Sequence, residues 1–389
     1  MKLWMMLALL GLVVTGARAQ NAPPAPVSRQ IAPPLLLRTD YVEGEDGWQV
    51  FGTGAKLARV SDEETKKNAL KFGYTLAKDG IAAMILPVSE NEIGTARSFR
   101  FSVKASQATT LAAGIQEQGG GRYIALFHAP ANKWQTVTLG ASDFVLMEGP
   151  NDPKDPNGKL DLNQIQALAI TDITQLLMQG DTELAKKLFG VTPGTRSLTV
   201  GEFTVSTESL PSASFFSPAD ARLDTFAHPQ VGWLALGGAM LERATGGPLT
   251  VSGLKMTYKQ EAGKLNGIAR QIPRGRLAGH DKLVVSVASE KPAVFLVQLE
   301  ERSGGKYNYP VTLEGKKSGE SLTARELVFP FADFKPSEDS KDPNNKLDLS
   351  DVYQILLIDV SGLLGTAKGE DNMLYLGGLR IPVTGAGGK

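Results

Sequence analysis

Asp155, Asn157 and Asp161 crowd side-chain oxygens into the tract Lys-Asp-Pro-Asn-Gly-Lys-Leu-Asp-Leu at 154–162. Asp342, Asn344 and Asp348 do the same in Lys-Asp-Pro-Asn-Asn-Lys-Leu-Asp-Leu at 341–349. Carboxylates and amides at such density are the hard ligands calcium takes. The EF-hand spacing fails, however: the fifth and sixth positions are Lys159 and Leu160 in one tract, Lys346 and Leu347 in the other. The alternative reading is a scaffold turn. Pro156 presets φ, Gly158 accepts positive φ, and Asn345, which replaces it, is the next residue to tolerate left-handed backbone. Asp161 is then an N-cap with Gln164 completing a capping box and Leu160 stapled to Ile165; Leu347, Asp348, Asp351 and Val352 repeat the arrangement. Asp155, Asn157, Gly158, Asp161, Asp342, Asn344, Asn345 and Asp348 are therefore assigned to structural turns, with no metal or other cofactor. Asp40 and Glu43 near the first strand form a second acidic pair, and Asp224 has little beside it.

Signatures of catalysis are missing. The chain has no cysteine, no G-x-S-x-G elbow and no H-E-x-x-H, and its three histidines lack metal-ligand spacing. The expectation is a protein that is not an enzyme.

The two tracts lie 187 positions apart (341 against 154) and differ at one residue in nine, which marks an internal duplication. Other pairs keep nearly the same offset: Trp48 with Trp233, Tyr74 with Tyr258, Glu117 with Glu301, Asp143-Phe144 with Asp333-Phe334, Asp172 with Asp359. Before the closing strand, copy one has 24 residues (174–197) where copy two has 13 (361–373). The extra stretch includes Thr182-Glu-Leu-Ala-Lys-Lys-Leu-Phe189, whose leucines at i and i+4 predict an inserted helix. Elsewhere the pattern is β. Ser98–Val103 and Ser197–Val205 alternate apolar and polar residues, Lys282–Val287 and Val294–Leu299 are continuously apolar, and glycine-rich breaks separate the segments. Many short strands in two copies predict an all-β protein of two tandem β-sandwich jelly rolls, with a short helical insertion in the first. Trp48, Trp134 and Trp233 are expected in or around the cores.

The boundaries follow from composition. Residues 1–19 read as a signal peptide, with Lys2, the apolar run Leu3–Val14 and the A-x-A site Ala17-Arg18-Ala19. Residues 20–34, with five prolines, read as a tether. Domain one is 35–207, a linker 208–221, domain two 222–383, and 384–389 a disordered tail. The expected product is exported, periplasmic or extracellular. Charge is balanced at 41 against 41; without Lys2 and Arg18 it is 39 against 41, a net of −2. No basic stripe exists to recruit nucleic acid, and no later segment is apolar enough to span a membrane.

Copy two runs Leu327-Val-Phe-Pro-Phe-Ala-Asp-Phe334, the acidic loop, Lys346-Leu-Asp-Leu, a buried strand, then Leu374-Tyr-Leu-Gly-Gly-Leu-Arg-Ile381. Copy one runs Trp134–Phe144 and closes on Val200-Gly-Glu-Phe-Thr-Val205. That order resembles the galactose-binding-domain-like jelly rolls of the family 11 carbohydrate-binding modules and of the complex I intermediate-associated protein 30 domain. The chain departs where Gly201-Glu202 and Gly377-Gly378 stand in place of an Asp-Asn pair. The resemblance implies a non-catalytic carbohydrate-binding protein whose partner is a polysaccharide, or alternatively an envelope protein-interaction or assembly module. It directs attention to one hairpin per copy. In copy one this is Gln116-Glu117-Gln118 through Arg122-Tyr123. In copy two it is Glu300-Glu301-Arg302 through Lys306-Tyr307-Asn308-Tyr309. Glu117, Arg122, Tyr123, Glu301, Lys306, Tyr307 and Tyr309 are the implied ligand-binding residues, with rings to stack on sugars and polar groups for hydroxyls. Tyr307 and Tyr309, two apart, share one face of a strand. The competing reading makes the charges cross-strand pairs beside a glycine turn and the tyrosines packing residues.

Overall fold

A computed structural model describes residues 33–382 apart from 79, 149–151, 180–185, 187–190 and 210–221. The expected signal peptide, tail, most of the tether and linker, and the inserted helix at 182–189 apart from Lys186 lie outside the described residues. The described chain falls into two compact units, the first carrying twelve strands and the second another twelve.

The first unit has β1 (Leu35–Thr39), β2 (Gln49–Phe51), β3 (Lys56–Ser61), β4 (Asn68–Leu76), β5 (Ala83–Pro87) and β6 (Ser98–Ala105). It continues with β7 (Thr109–Glu117), β8 (Arg122–Ala129), β9 (Gln135–Gly140), β10 (Val145–Leu146), β11 (Ile165–Asp172) and β12 (Gly194–Ser206). They form two antiparallel sheets. One runs β3-β4-β12-β6-β9 with β1 also on β12, and the other runs β10-β8-β7-β11-β5-β2.

The second unit has β13 (Arg222–Asp224), β14 (Leu234–Leu236), β15 (Met240–Thr245), β16 (Ser252–Lys259), β17 (Asn266–Gln271) and β18 (Lys282–Ser289). It closes with β19 (Ala293–Glu301), β20 (Lys306–Leu313), β21 (Arg325–Pro330), β22 (Lys335–Pro336), β23 (Val352–Asp359) and β24 (Asp371–Arg380). Its sheets run β15-β16-β24-β18-β21, with β13 on β24, and β14-β17-β23-β19-β20-β22. Adding twelve to every strand number of the first unit reproduces the second, so the duplication seen in the acidic tracts extends through the whole jelly-roll topology.

Alternation decides which side chains enter each sandwich. Phe101 of β6 meets Phe127 of β8 edge-on at 5.7 Å, joining the two sheets of the first unit. Tyr123, Ala125 and Phe127 therefore face inward, and Arg122, Ile124 and Leu126 outward. In the second unit Tyr309 of β20 meets Phe329 of β21 at 5.2 Å and Phe334 at 5.6 Å. Tyr307 and Tyr309 thus point inward, and Lys306 and Asn308 outward. Each fully buried Leu or Phe in these interiors contributes about 1.5–3 kcal/mol.

Both cores hold one matched polar hub. Tyr74 donates to Asp172 Oδ2 at 2.6 Å and Tyr258 to Asp359 Oδ2 at 2.8 Å. Beyond Asp172 the first unit turns into a helix, α1 (Thr174–Met178), started by Asp172 Oδ1 accepting from the Thr174 backbone at 2.9 Å. Trp48 and Trp233 are core residues, but Trp134 is not: its ring is half-buried, its Nε1 donates to Asp62 Oδ1 at 3.1 Å, and Lys104 sits 4.9 Å from its centre. Its indole N–H finds a carboxylate at the sandwich rim.

Candidate functional site

The hairpins between β7 and β8 and between β19 and β20 clamp the acidic tracts. Gly120 and Gly304 turn at φ 118° and φ 108°, open to glycine alone among common residues. A side chain at the next glycine, Gly121 or Gly305, would strike the carboxylate of Glu117 or Glu301. That carboxylate lies beneath the hairpin and accepts the backbone N–H of Asp161 or Asp348 through Oε1. The tyrosine hydroxyls of Tyr123 and Tyr307 donate to Asp155 and Asp342. The tracts themselves are Asx turns. Asp155 Oδ1 accepts from the Asn157 backbone at 3.0 Å, and Asn157 Oδ1 from that of Lys159 at 2.7 Å. Asp342 and Asn344 repeat this at 3.1 and 2.6 Å. Gly158 and Asn345 both stand left-handed, at φ 67° and 54°.

Backbone and side-chain donors thus meet these oxygens, and among the described residues there is no group of three or more His, Cys, Asp or Glu arranged to hold a metal. The capping box is replaced by a different device. Asp161 precedes a single 3-10 turn, Leu162–Gln164, without capping it by its side chain. Gln164 donates to the Asp161 carboxylate at 3.3 Å, and the N-cap N–H goes to Glu117. Near Asp40, the Asp46 carboxylate takes the backbone N–H groups of Asp40 and Tyr41 at 2.8 and 2.6 Å, and Asp224 is committed to an ion pair with Arg270.

Burial corrects the expected sugar-stacking role. Tyr123 and Tyr307 are 3% and 1% exposed and offer no face to a ligand. Tyr309 does share a face with Tyr307, but it is the inner one. Glu117 and Glu301 are likewise buried, and burial pushes both carboxyls above their ordinary range against the opposing pull of the N–H they accept. Of the expected residues, Arg122 and Lys306 alone belong to the outer face.

Pairing register places the remaining polar groups. In the second unit Gln271 of β17 pairs with Gln354 of β23, Gln354 with Glu300 of β19, and Glu300 with Lys306 of β20. The four form one row across four strands on the outer face. Gln271 Oε1, Gln354 Oε1 and Glu300 Oε1 are buried from solvent and have no hydrogen-bond partner. Glu300 Oε2 accepts from the Tyr353 hydroxyl at 3.0 Å. A bulge between Glu300 and Glu301 shifts the pairing, so Tyr353 reaches this face beside Gln354. Arg302 lies 5.8 Å over the Tyr353 ring, and Lys306 binds Asp339 at 2.5 Å. Burial raises the Glu300 carboxyl above its ordinary value, with Lys306 and the Tyr353 hydroxyl pulling the other way. The next row is Ala269, Leu356, Gln298 and Asn308, where Gln298 Nε2 donates to Asn308 Oδ1 at 2.7 Å.

Glu300 and Asn308 neighbour the expected residues in sequence, and the period of two in a strand was the signal that separates them from Glu301 and Tyr307. Gln271, Gln354 and Tyr353 carried no local signal, because strand register alone brings them together.

No family model matches the chain, and no curated protein matches it. Among solved structures it is similar to the family 11 carbohydrate-binding module from Clostridium thermocellum in complex with a β-1,3-1,4-mixed-linked tetrasaccharide. That match has 18% identity and a TM-score of 0.34, and covers 43% of this chain and 94% of that one. It is also similar to the tandem CBM22-1-CBM22-2 domain of Paenibacillus barcinonensis Xyn10C, at 13% identity and a TM-score of 0.29, covering 90% of this chain and 98% of that one. The single CBM22-1 xylan-binding domain of the same protein matches 44% of this chain at 13% identity and a TM-score of 0.29, with 93% of that chain covered. The fold assignment itself rests on the two sheet orders.

Proposed function

We propose that the chain is an exported, non-catalytic carbohydrate-binding protein, and that its second unit holds a hydroxyl-rich polysaccharide on the outer face of β17, β23, β19 and β20. The observation that carries the reading is the row of three unpartnered acceptors, Gln271 Oε1, Gln354 Oε1 and Glu300 Oε1. A buried acceptor without a donor costs about 1–3 kcal/mol, so a ligand that supplies donors recovers that free energy on binding. Strands lie about 4.8 Å apart, so these three side chains, once turned outward, set acceptors at intervals that successive hydroxyls of one ligand can meet. Lys306 and Arg302 add donors at one end for ring or glycosidic oxygens. Export rests on Lys2, the apolar run after it and Ala17-Arg18-Ala19.

Affinity electrophoresis of the full chain in gels containing β-glucan, xylan or other polysaccharides tests the reading. Retardation by at least one of them, lost in Gln271→Leu with Gln354→Leu, is the expected result. Migration unchanged by every polysaccharide, with a stoichiometric protein crosslinked instead, would overturn it in favour of an assembly module.

A further inference from the structure

The link from β20 to β21 crosses between the two sheets of the second unit, and it is longer than its counterpart. Five residues (130–134) join β8 to β9 in the first unit, and eleven (314–324) join β20 to β21. The register fixes the match, because Gln135 pairs with Val103 as Arg325 pairs with Val287. In the first unit the short link lies back on the end of β6. Ala131 bridges Ala105, and the Asn132 N–H donates to the Ala105 carbonyl at 2.7 Å. Ser289 stands at the Ala105 position in the second unit, and the longer link is pinned elsewhere. The Lys316 N–H donates to the Glu290 carbonyl at 3.1 Å, and the Ala324 N–H to the Pro248 carbonyl at 3.3 Å. Gly315 turns at φ 75° against Pro292, where a Cβ would lie 2.5 Å from the proline nitrogen. Between these anchors the link leaves a cleft of about 240 Å³ against Val287, Ala288 and Ser289.

The cleft is lined with charge of both signs. Lys316, Lys317 and Arg325 border it together with Glu314 and Glu320, and all five are exposed. Arg325 Nη2 donates to the Thr312 carbonyl at 2.8 Å, which holds the guanidinium at the base of the link. None of the three cations forms an ion pair with a described residue, while Glu326 and Glu370 are taken by Arg380 and Lys291. Ammonium and guanidinium groups only donate, and carboxylates only accept. A simple anion would use the cations and be repelled by the glutamates. A ligand with one carboxylate and several hydroxyls meets both sets. The volume falls below the about 300–1,000 Å³ of clefts that take drug-sized molecules, so the cleft admits one ring rather than a length of polymer.

We propose that this cleft binds a sugar acid, a single hexuronate with its carboxylate toward Lys316, Lys317 and Arg325 and its hydroxyls toward Glu314 and Glu320. The hexuronate is either free or the end of a polysaccharide. The cleft shares no residue with the row on the outer face, so either site can fail without the other.

Isothermal titration of the full chain with glucuronate, galacturonate and their methyl esters provides the test. At least one uronate should bind with one site per chain. Its methyl ester keeps the hydroxyls but loses the charge, and should bind about tenfold more weakly or worse. Added salt should weaken the uronate and leave the ester unchanged. Lys316→Gln combined with Lys317→Gln should weaken the uronate by about tenfold while leaving the unfolding midpoint in place. Replacing residues 314–324 with the sequence of 130–134 removes the cleft and should abolish binding. A trisaccharide ending in the uronate separates the two sources: affinity equal to or above that of the monosaccharide assigns the cleft to a chain end, and weaker binding assigns it to the free acid. No binding of either uronate, equal affinity for the ester, or binding undiminished by the lysine pair would each overturn the proposal. Should the loop exchange fail to fold, the ester comparison and the lysine pair still decide it.

Discussion

The two outer faces share one strand order and diverge at each central position. Pro87, Ala167, Gln116 and Arg122 stand where the second unit has Gln271, Gln354, Glu300 and Lys306. Ala169 and Gly114 stand where it has Leu356 and Gln298. The hairpin clamps beneath these faces are nearly identical, down to the tyrosine hydroxyl on the acidic loop. Duplication has therefore kept what builds the backbone and varied the side chains of the outer face, the pattern expected when scaffold and outer face answer to separate demands on one sheet.

A similar divergence lies inside the sandwich. Trp48 donates its indole N–H to Thr39 Oγ1 at 3.3 Å, whereas Trp233 donates to Asp224 Oδ2 at 2.8 Å, and Asp224 also holds the buried Arg270. Leu86 occupies the Arg270 position in the first unit. Removing one partner of a buried ion pair strands the other charge. Asp224→Ala is expected to destabilise the second unit by about 3–5 kcal/mol, and Thr39→Ala the first by about 1 kcal/mol. Denaturant-dependent hydrogen exchange, read separately on peptides of each unit, measures both. Equal losses would show that the ion pair does not distinguish the two cores.

The outer row gives the next largest effect, with opposite signs in two measurements. Gln271→Leu combined with Gln354→Leu carries the apolar character of the first unit into the second. It should weaken polysaccharide binding by roughly thirtyfold, from about 1 kcal/mol for each hydrogen bond lost. It should also leave the unit as stable or more stable, because two unpartnered buried oxygens are gone. A drop in stability alongside the drop in binding would mean the glutamines support the sheet rather than a ligand.

The architecture was readable because it depends on local rules. The duplicated tract, the alternating segments and the glycine breaks state strand, turn and repeat directly, and Asn345 for Gly158 preserves a backbone geometry that two residue types share. The outer face was less readable. Glu301, Tyr307 and Tyr309 hold the right residue types, but one step of alternation puts them inside, and no local pattern says which face of an amphipathic strand is covered by the other sheet. Gln271 and Gln354 lie 83 residues apart (354 against 271) and meet only through register. Tyr353 joins them because a bulge displaces it, and a bulge follows from the pairing of two strands.

The clamps should respond alike, which makes them the control for the comparison. Tyr123→Phe and Tyr307→Phe each delete one hydroxyl donor to an acidic loop. Each is expected to cost about 1 kcal/mol in its own unit and to leave ligand binding unaltered. Paired hydrogen-exchange measurements on the two variants supply the readout, and a loss confined to one unit would break the claim that the scaffolds are equivalent.

The smallest effect is in pH dependence, and Glu300 is its source. Gln116 occupies the matching position in the first unit and cannot titrate. Burial raises the Glu300 carboxyl above 4.5, its ordinary value, so the folded unit holds this proton more tightly than the unfolded chain. The stability it contributes is fully present below the ordinary value and is lost as pH rises through the raised one. Glu117 and Glu301 are raised in the same direction, one in each unit, both first by burial. Asp339 is affected first by burial, which opposes the net shift, but its bonds to Lys306 and Ser337 carry it down to about 2. Its contribution therefore changes only in more acidic solution, as do those of Asp342, lowered by the Tyr307 hydroxyl, and Asp348, lowered by Ser350. Between the ordinary carboxylate range and neutrality, the second unit should lose stability more steeply than the first, and Glu300→Gln should remove the excess slope. Polysaccharide binding should run the other way. Hydroxyl donors prefer the carboxylate to the acid, so affinity for the ligand should rise as Glu300 ionises and become independent of pH in Glu300→Gln. Opposed slopes for stability and affinity, both cancelled by one substitution, would tie the unpartnered oxygen of Glu300 to the ligand rather than to the fold.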